Sequence, residues 1–176
     1  AIPSFFTNGK IAAFIGAKHA VVVNSGTSSI QIPMHIYDVR GKEVLVPTNT
    51  FFATALGVRH AGGIPRFVDC DPETFSVDMD SLRSQITGNT AGIIVVHIGG
   101  IVTPHMAEIQ DLCTKHGLFL FEDAAHAHGS SYKGKKAGLF GEASSFSFYP
   151  TKIITSGEGG IIVTNSEKFN EESRLY

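Results

Sequence analysis

The stretch that decides the fold is Leu118–Thr164, LFLFEDAAHAHGSSYKGKKAGLFGEASSFSFYPTKIITSGEGGIIVT. An apolar run, Leu118 to Phe121, delivers Glu122 and Asp123 at its end. A second run, Ser144 to Phe148, leads through Tyr149, Pro150 and Thr151 to Lys152. The glycine-rich string Gly157-Glu158-Gly159-Gly160 precedes a third run, Ile161 to Val163. Short, continuous runs of branched and aromatic residues, bounded by Gly and Ser, read as strands covered on both faces. Each carries its polar residues just past the end of the run.

Working outward, further runs of this kind lie at Ala20–Val23, Val44–Val46, Ile64–Val68 and Gly92–Val96. Helical patterns alternate with them. Thr27 to Tyr37 is one, with Pro33 its weak point, and Phe51 to Ala61 is another. Asp78 to Ile86 opens on an Asp cap, and Pro104 to His116 opens on Thr103-Pro104, a cap followed by proline in the first turn. The tail EKFNEESRLY also looks helical. Alternation of strand and helix predicts an α/β fold, a three-layer αβα arrangement on a mostly parallel central sheet. No internal repeat, linker or second-domain boundary interrupts it, so residues 1–176 read as one domain.

The chain has 176 residues, of which 43% are hydrophobic and only 17% charged. That balance is more apolar than a solitary domain needs and predicts a face buried against another chain or another part of the protein. A net charge of −2 gives no electrostatic footprint for nucleic acid or an acidic membrane. The basic cluster Lys133, Lys135 and Lys136 reads as a solvated turn. Cys70 and Cys113 are far apart in sequence and form no metal-binding pair, which fits a reducing, cytoplasmic setting. No apolar run approaches membrane-spanning length, and Lys10, Lys18 and His19 spoil the amino-terminal segment as a signal peptide. The lack of an initiator Met and the charged, helix-like end suggest an internal fragment.

In open α/β sheets the chemistry sits beyond the carboxyl ends of the strands. The segment Asn24-Ser25-Gly26-Thr27-Ser28-Ser29 follows one strand and opens a helix. Gly26 allows the turn, and the free N–H groups of Thr27 and Ser28 suit an oxyanion such as phosphate, although an ordinary Ser/Thr cap would look the same. It is not a Walker loop, because no Gly-Lys-Ser/Thr follows. Asp123, at the end of the most apolar strand, needs a cationic or hydrogen-bonding partner. A pyridinium N–H would serve, and so would a buried Arg, but the chain has only five arginines. Lys152 stands apart from the other lysines on an aromatic, Ser-rich loop, where burial would make its amine a Schiff-base nucleophile. Ser147 could add a hydroxyl to a phosphate. Phe51 could stack on a flat ring or simply fill the core. A buried Asp, a lone Lys and an oxyanion turn are the parts needed to hold pyridoxal 5'-phosphate. A competing reading takes Asp123, His126 and His128, with His97, as ligands of a divalent metal in a hydrolase. That reading leaves the Lys152 and Gly26 loops without a purpose.

Taken together the motifs resemble the DegT/DnrJ/EryC1/StrS family of pyridoxal-phosphate sugar aminotransferases, of the aspartate-aminotransferase fold (fold type I). The resemblance rests on Asn24-Ser25-Gly26-Thr27, Val46-Pro47-Thr48-Asn49-Thr50-Phe51, Phe67-Val68-Asp69, Val96-His97 with Gly100, Glu122-Asp123-Ala124-Ala125-His126, Phe146-Ser147-Phe148 with Lys152, and Gly157-Glu158-Gly159-Gly160. It implies the large domain of that fold, without the small C-terminal domain. It implies that Lys152 and Asp123 are catalytic, Lys152 holding the cofactor aldehyde and Asp123 the pyridine nitrogen. Gly26, Thr27, Ser28 and Ser147 would hold the phosphate, Phe51 would lie on the ring, and His126 would touch the ring hydroxyl. His126 stands where the family most often has Gln, and Ile153 follows the lysine where Asn is usual.

The resemblance further implies transfer of an amino group, from glutamate, to a keto sugar linked to a nucleotide, in polysaccharide or amino-sugar biosynthesis. It implies a homodimer whose site borrows residues from the second subunit. Lys152 argues against the family's dehydratase branch, which lacks this lysine. The rival classes are the metal-dependent hydrolase and a non-catalytic module that keeps the fold and binds partners through its apolar surface.

Overall fold

The computed structural model describes residues 8–176. A seven-stranded sheet runs in the order β3, β2, β4, β5, β8, β9, β1. The strands are β1 (His19–Val23), β2 (Glu43–Pro47), β3 (Ile64–Val68), β4 (Thr90–Val96), β5 (Phe119–Asp123), β8 (Ala143–Ser147) and β9 (Gly160–Thr164). From β3 across to β8 all neighbours are parallel. Only β9 is reversed, pairing antiparallel with both β8 and β1. Every apolar run singled out in the sequence is a strand of this sheet, and the mostly parallel α/β architecture is as expected.

Alternation along each strand feeds two separate cores. In β4, Ile93 and Val95 face one layer while Ile94 faces the other. Leu120 and Phe121 divide in the same way in β5, as do Ile161 and Val163 against Ile162 in β9. The first layer is closed by Ile11 and Ile15 of α1 (Asn8–Ile15), Leu82 of α4 (Met79–Gln85), and Met106 and Ile109 of α5 (Met106–His116). The second is closed by Ile30 and Met34 of α2 (Gly26–Ile36), Val58 of α3 (Ala53–His60) and Phe169 of α6 (Glu167–Ser173). Phe121 is fully buried at the centre of the second core; its truncation to Ala would cost about 3–5 kcal/mol.

Local chemistry explains the helix boundaries. Ser25 caps α2 by accepting from the Ser28 N–H at 3.1 Å, and Asp78 caps α4 by accepting from Ser81 N at 2.7 Å. The helix α2 continues through Pro33. The expected Thr103-Pro104 cap is displaced: Thr103 Oγ1 accepts from the His105 N–H, and the helix begins at Met106 with His105 in the cap position. That hydrogen bond closes a local turn, which delays the helix. Pro65 lies in β3, an edge strand of the sheet, where a missing N–H is tolerated. The helix α1 and a hairpin of β6 (Ser131–Tyr132) and β7 (Lys135–Lys136) carried no clear sequence signal. The lysine cluster lies on this hairpin, where Lys136 packs its amine over Phe14, 4.4 Å from the ring centre.

The topology puts several loop starts at one edge. The carboxyl ends of β2, β4, β5 and β8 meet the amino end of α2 there.

Candidate functional site

A cleft of about 720 Å3 opens at that edge. Its floor is the carboxyl end of β5. Asp123 is only 5% exposed. Its Oδ2 accepts from Thr54 Oγ1 at 2.8 Å, and its Oδ1 accepts from the Ala125 N–H at 3.2 Å. Thr54 is itself bonded to Thr50 at 2.7 Å. No arginine pairs with Asp123, so the alternative of a buried Arg partner is not realised. The carboxylate keeps acceptor capacity toward the cleft.

Lys152 lies on the loop between β8 and β9 and lines the same cleft. Phe148 anchors this loop: its carbonyl accepts from Ser156 N at 3.0 Å and Thr155 Oγ1 at 2.9 Å, and its N–H donates to Gly159 O at 2.9 Å. A tight turn, Lys152 N–H to Tyr149 O at 2.9 Å, sets the lysine. Partial burial lowers the pKa of the Lys152 amine, while the nearby Asp123 charge works in the opposite direction.

The amino end of α2 forms the wall facing Lys152. Here Gly26 is required by close approach, because a Cβ would sit 2.7 Å from the Ser147 Cβ and 2.8 Å from its Oγ. The N–H groups of Gly26 and Thr27 precede the first intrahelical acceptors, and the Ser147 hydroxyl stands beside them, an arrangement suited to an anion. Ser28 is placed differently from expectation. It does not line the cleft; its hydroxyl donates to Asn24 Oδ1 at 2.6 Å, and its N–H is taken up by Ser25. Its spacing along the chain resembles that of its neighbours, but the helical turn carries it to another face.

Phe51 lines the mouth with its ring 61% exposed and 4.3 Å from the Phe52 ring centre. Core packing is therefore not its role. His126 lies on the cleft wall, with its Nδ1 accepting from the Gly99 N–H at 3.3 Å. Burial lowers its pKa, Lys152 adds to that effect, and Asp123 opposes it. The side chain of Ile153 is 72% exposed.

Two further histidines are taken up by other partners. His97 is buried, and its Nε2 meets Glu122 Oε2 at 2.8 Å. Glu122 also accepts from the N–H groups of Gly138, Phe140 and Gly141 at 2.6–2.7 Å. It locks the loop 138–141 to the ends of β4 and β5. His128 sits between Phe146 and Phe148. Among the described residues no group of three His, Cys, Asp or Glu side chains is disposed to share a metal ion. Sequence reasoning missed Thr54, which holds the floor carboxylate; its i, i+4 spacing from Thr50 at the start of a helix was the available signal. It also missed Glu122 as the partner of His97, a contact between two strands that only the sheet register creates.

The DegT/DnrJ/EryC1/StrS aminotransferase family model matches residues 6–176. The chain belongs to this family. It is 40% identical over 165 residues to GDP-perosamine synthase from Caulobacter vibrioides, covering 93% of this chain and 44% of that protein. It is 38% identical to L-glutamine:2-deoxy-scyllo-inosose aminotransferase from Streptomyces paromomycinus, covering 90% and 37%. The crystal structure of the aminotransferase from Psychrobacter cryohalolentis superposes with a TM-score of 0.93 at 34% identity, covering 96% of this chain and 43% of that one. The chain thus spans less than half the length of these family members, and the sheet and cleft described above lie within the shared part.

Proposed function

We propose that this chain is the cofactor-binding part of a pyridoxal-phosphate aminotransferase acting on a keto sugar linked to a nucleotide. The observation that carries the reading is the convergence of Asp123, Lys152, His126 and the Gly26–Thr27 turn on one cleft. Family membership supports it, and the name of the Caulobacter relative points to a nucleotide-linked sugar product. Glutamate is our proposed amino donor; the name of the Streptomyces relative, which specifies glutamine, keeps the donor among small amino acids.

The residues fit the cofactor. Bound there, pyridoxal phosphate supplies an aldehyde and an electron-withdrawing pyridine ring. The carboxylate of Asp123, nearly dry and pinned by Thr54, would accept the ring N–H and favour its protonated form. Gly26, Thr27 and Ser147 would hold the phosphate, with no side chain at position 26 in the way. Phe51, already exposed at the mouth, would cover the ring. Lys152 Nζ, with its pKa lowered by burial, is the nucleophilic amine toward the aldehyde. As a free amine, Nζ would be placed to accept and return a proton within the cleft.

The exposed apolar rim of Phe51, Phe52, Tyr149 and Ile153 supports a second subunit closing the cleft, as a homodimer would. Both cysteines are free, and no helix among the described residues is long and apolar enough to cross a membrane; these facts support our placement of the enzyme in the cytoplasm. The metal-hydrolase reading loses His97 to Glu122 and His128 to the Phe146–Phe148 pocket.

The test is the visible absorption of the complete protein purified with pyridoxal phosphate, before and after borohydride, followed by peptide mapping. Pyridoxyl label on Lys152 is expected. Label on another lysine, or no cofactor uptake, overturns the reading.

A further inference from the structure

The turn after β4 touches the β5 turn at three points. The His97 N–H donates to Asp123 O at 3.0 Å, and the Gly99 N–H donates to His126 Nδ1 at 3.3 Å. Gly100 packs so closely that a Cβ there would lie 3.0 Å from His126 O. Both glycines have positive φ, +59° at Gly99 and +83° at Gly100, a conformation that turns the amide of Gly99 toward the imidazole. The turn is itself anchored, because its first residue, His97, is held through Nε2 by Glu122.

A backbone N–H can only donate. An imidazole nitrogen that receives it must present its lone pair. We propose that the Gly99 N–H fixes His126 as the neutral tautomer with hydrogen on Nε2, so that the 97–100 turn is a positioning element that gives the cleft a hydrogen-bond donor without a second positive charge. The inference deepens the functional reading above and rests on it only for the ligand that Nε2 would meet, an acceptor oxygen on the bound ring. The tautomer itself is a property of this chain.

The chemical purpose follows from the neighbours. Lys152 and Asp123 are the charged groups around His126, with His128 close by and neutral. An imidazolium beside the Lys152 ammonium would place two cations in a half-dry cleft. It would also need Nδ1 to donate where it now accepts. The neutral donor can hold an anionic or carbonyl oxygen while leaving the Lys152–Asp123 balance undisturbed. A glutamine side chain offers the same thing, an N–H without charge, so the turn makes histidine imitate an amide.

The experiment is 15N-histidine labelling of the complete protein with long-range 1H–15N correlation at pH 7.5, with and without bound cofactor. His126 is assigned by the signal lost in His126→Gln. Expected is a bare Nδ1 and a protonated Nε2 in both states. Hydrogen on Nδ1, or on both nitrogens, overturns the proposal. One variant tests the turn. Gly100→Ala forces the turn off His126 O, and the minor tautomer should rise about fivefold, the worth of one ordinary hydrogen bond. An unchanged tautomer in Gly100→Ala would remove the turn from its role. Failure to take up cofactor would count against the functional reading alone, since the tautomer is read without it.

Discussion

His128 offers a direct measure of how dry the floor beneath the lysine loop is. Its ring centre lies 5.5 Å from that of Phe146 and 5.3 Å from that of Phe148, and neither ring nitrogen is in good hydrogen-bonding geometry, although the Ser147 backbone acts on the ring. Burial pushes its pKa down to about 4; Lys152 and His126 push the same way, and the Ser147 backbone opposes them only in part. The folded value is depressed below the unfolded value of about 6.5. Above pH 6.5 the ring is neutral in both states and has no effect. As pH falls, the unfolded chain binds the proton first, so stability is lost between pH 6.5 and pH 4. The full loss is about 2.5 pKa units, or about 3.4 kcal/mol, and by pH 5 about 2 kcal/mol of it has been felt. His128→Phe keeps a ring in the pocket and removes the titration. Urea unfolding of the complete protein at pH 7.5 and pH 5.0 should show the wild type losing about 2 kcal/mol more than the variant. Equal losses would mean that His128 is solvated or hydrogen-bonded, and the account of a dry floor would be wrong. His128→Leu serves as a second comparison if the larger ring crowds its neighbours.

Asp123→Asn should leave the fold near normal, since the amide oxygen can accept from the Ala125 N–H while its NH2 donates to the Thr54 hydroxyl, but lower turnover by about 2–4 kcal/mol of transition-state stabilisation; wild-type kcat/KM in the variant would remove the assigned role. Lys152→Ala should abolish transamination while leaving weak cofactor retention, measured by equilibrium dialysis, because the phosphate contacts of Gly26, Thr27 and Ser147 remain. Gly26→Ala should weaken cofactor binding by at least tenfold, since the new Cβ meets Ser147 at 2.7 Å; unaltered affinity would show that α2 can retreat without cost. In pH–rate profiles, the wild type should carry a titration on the acid side of neutrality, because the His126 pKa lies below its ordinary value, and His126→Gln should remove it; superimposable profiles would contradict this.

Much of the fold was legible because burial on both faces leaves continuous apolar runs that no surface element needs. The strands β2, β4, β5 and β9 announced themselves in that way, whereas β3, an edge strand with Ile64 and Phe67 exposed, showed only through its branched and aromatic residues; strand–helix alternation then pointed to a mostly parallel sheet and the edge where chemistry collects. Asp123 and Lys152 stood out because a charge at the end of an apolar strand, or alone on an aromatic loop, has no structural excuse. The rest depended on geometry that the linear order does not contain. Ser28 sits among phosphate-type neighbours in sequence, but a helix advances about 100° per residue, and its hydroxyl faces Asn24. Phe51 could have been core or rim, and only packing placed it outside. The Glu122–His97 pair and the Gly99–His126 contact join β4 to β5 through sheet register, 25 and 27 residues apart in the chain. Sequence specified which chemical groups lie at the strand ends; tertiary structure decided which of them face one another, because orientation across a sheet is set by register and twist rather than by spacing along the chain.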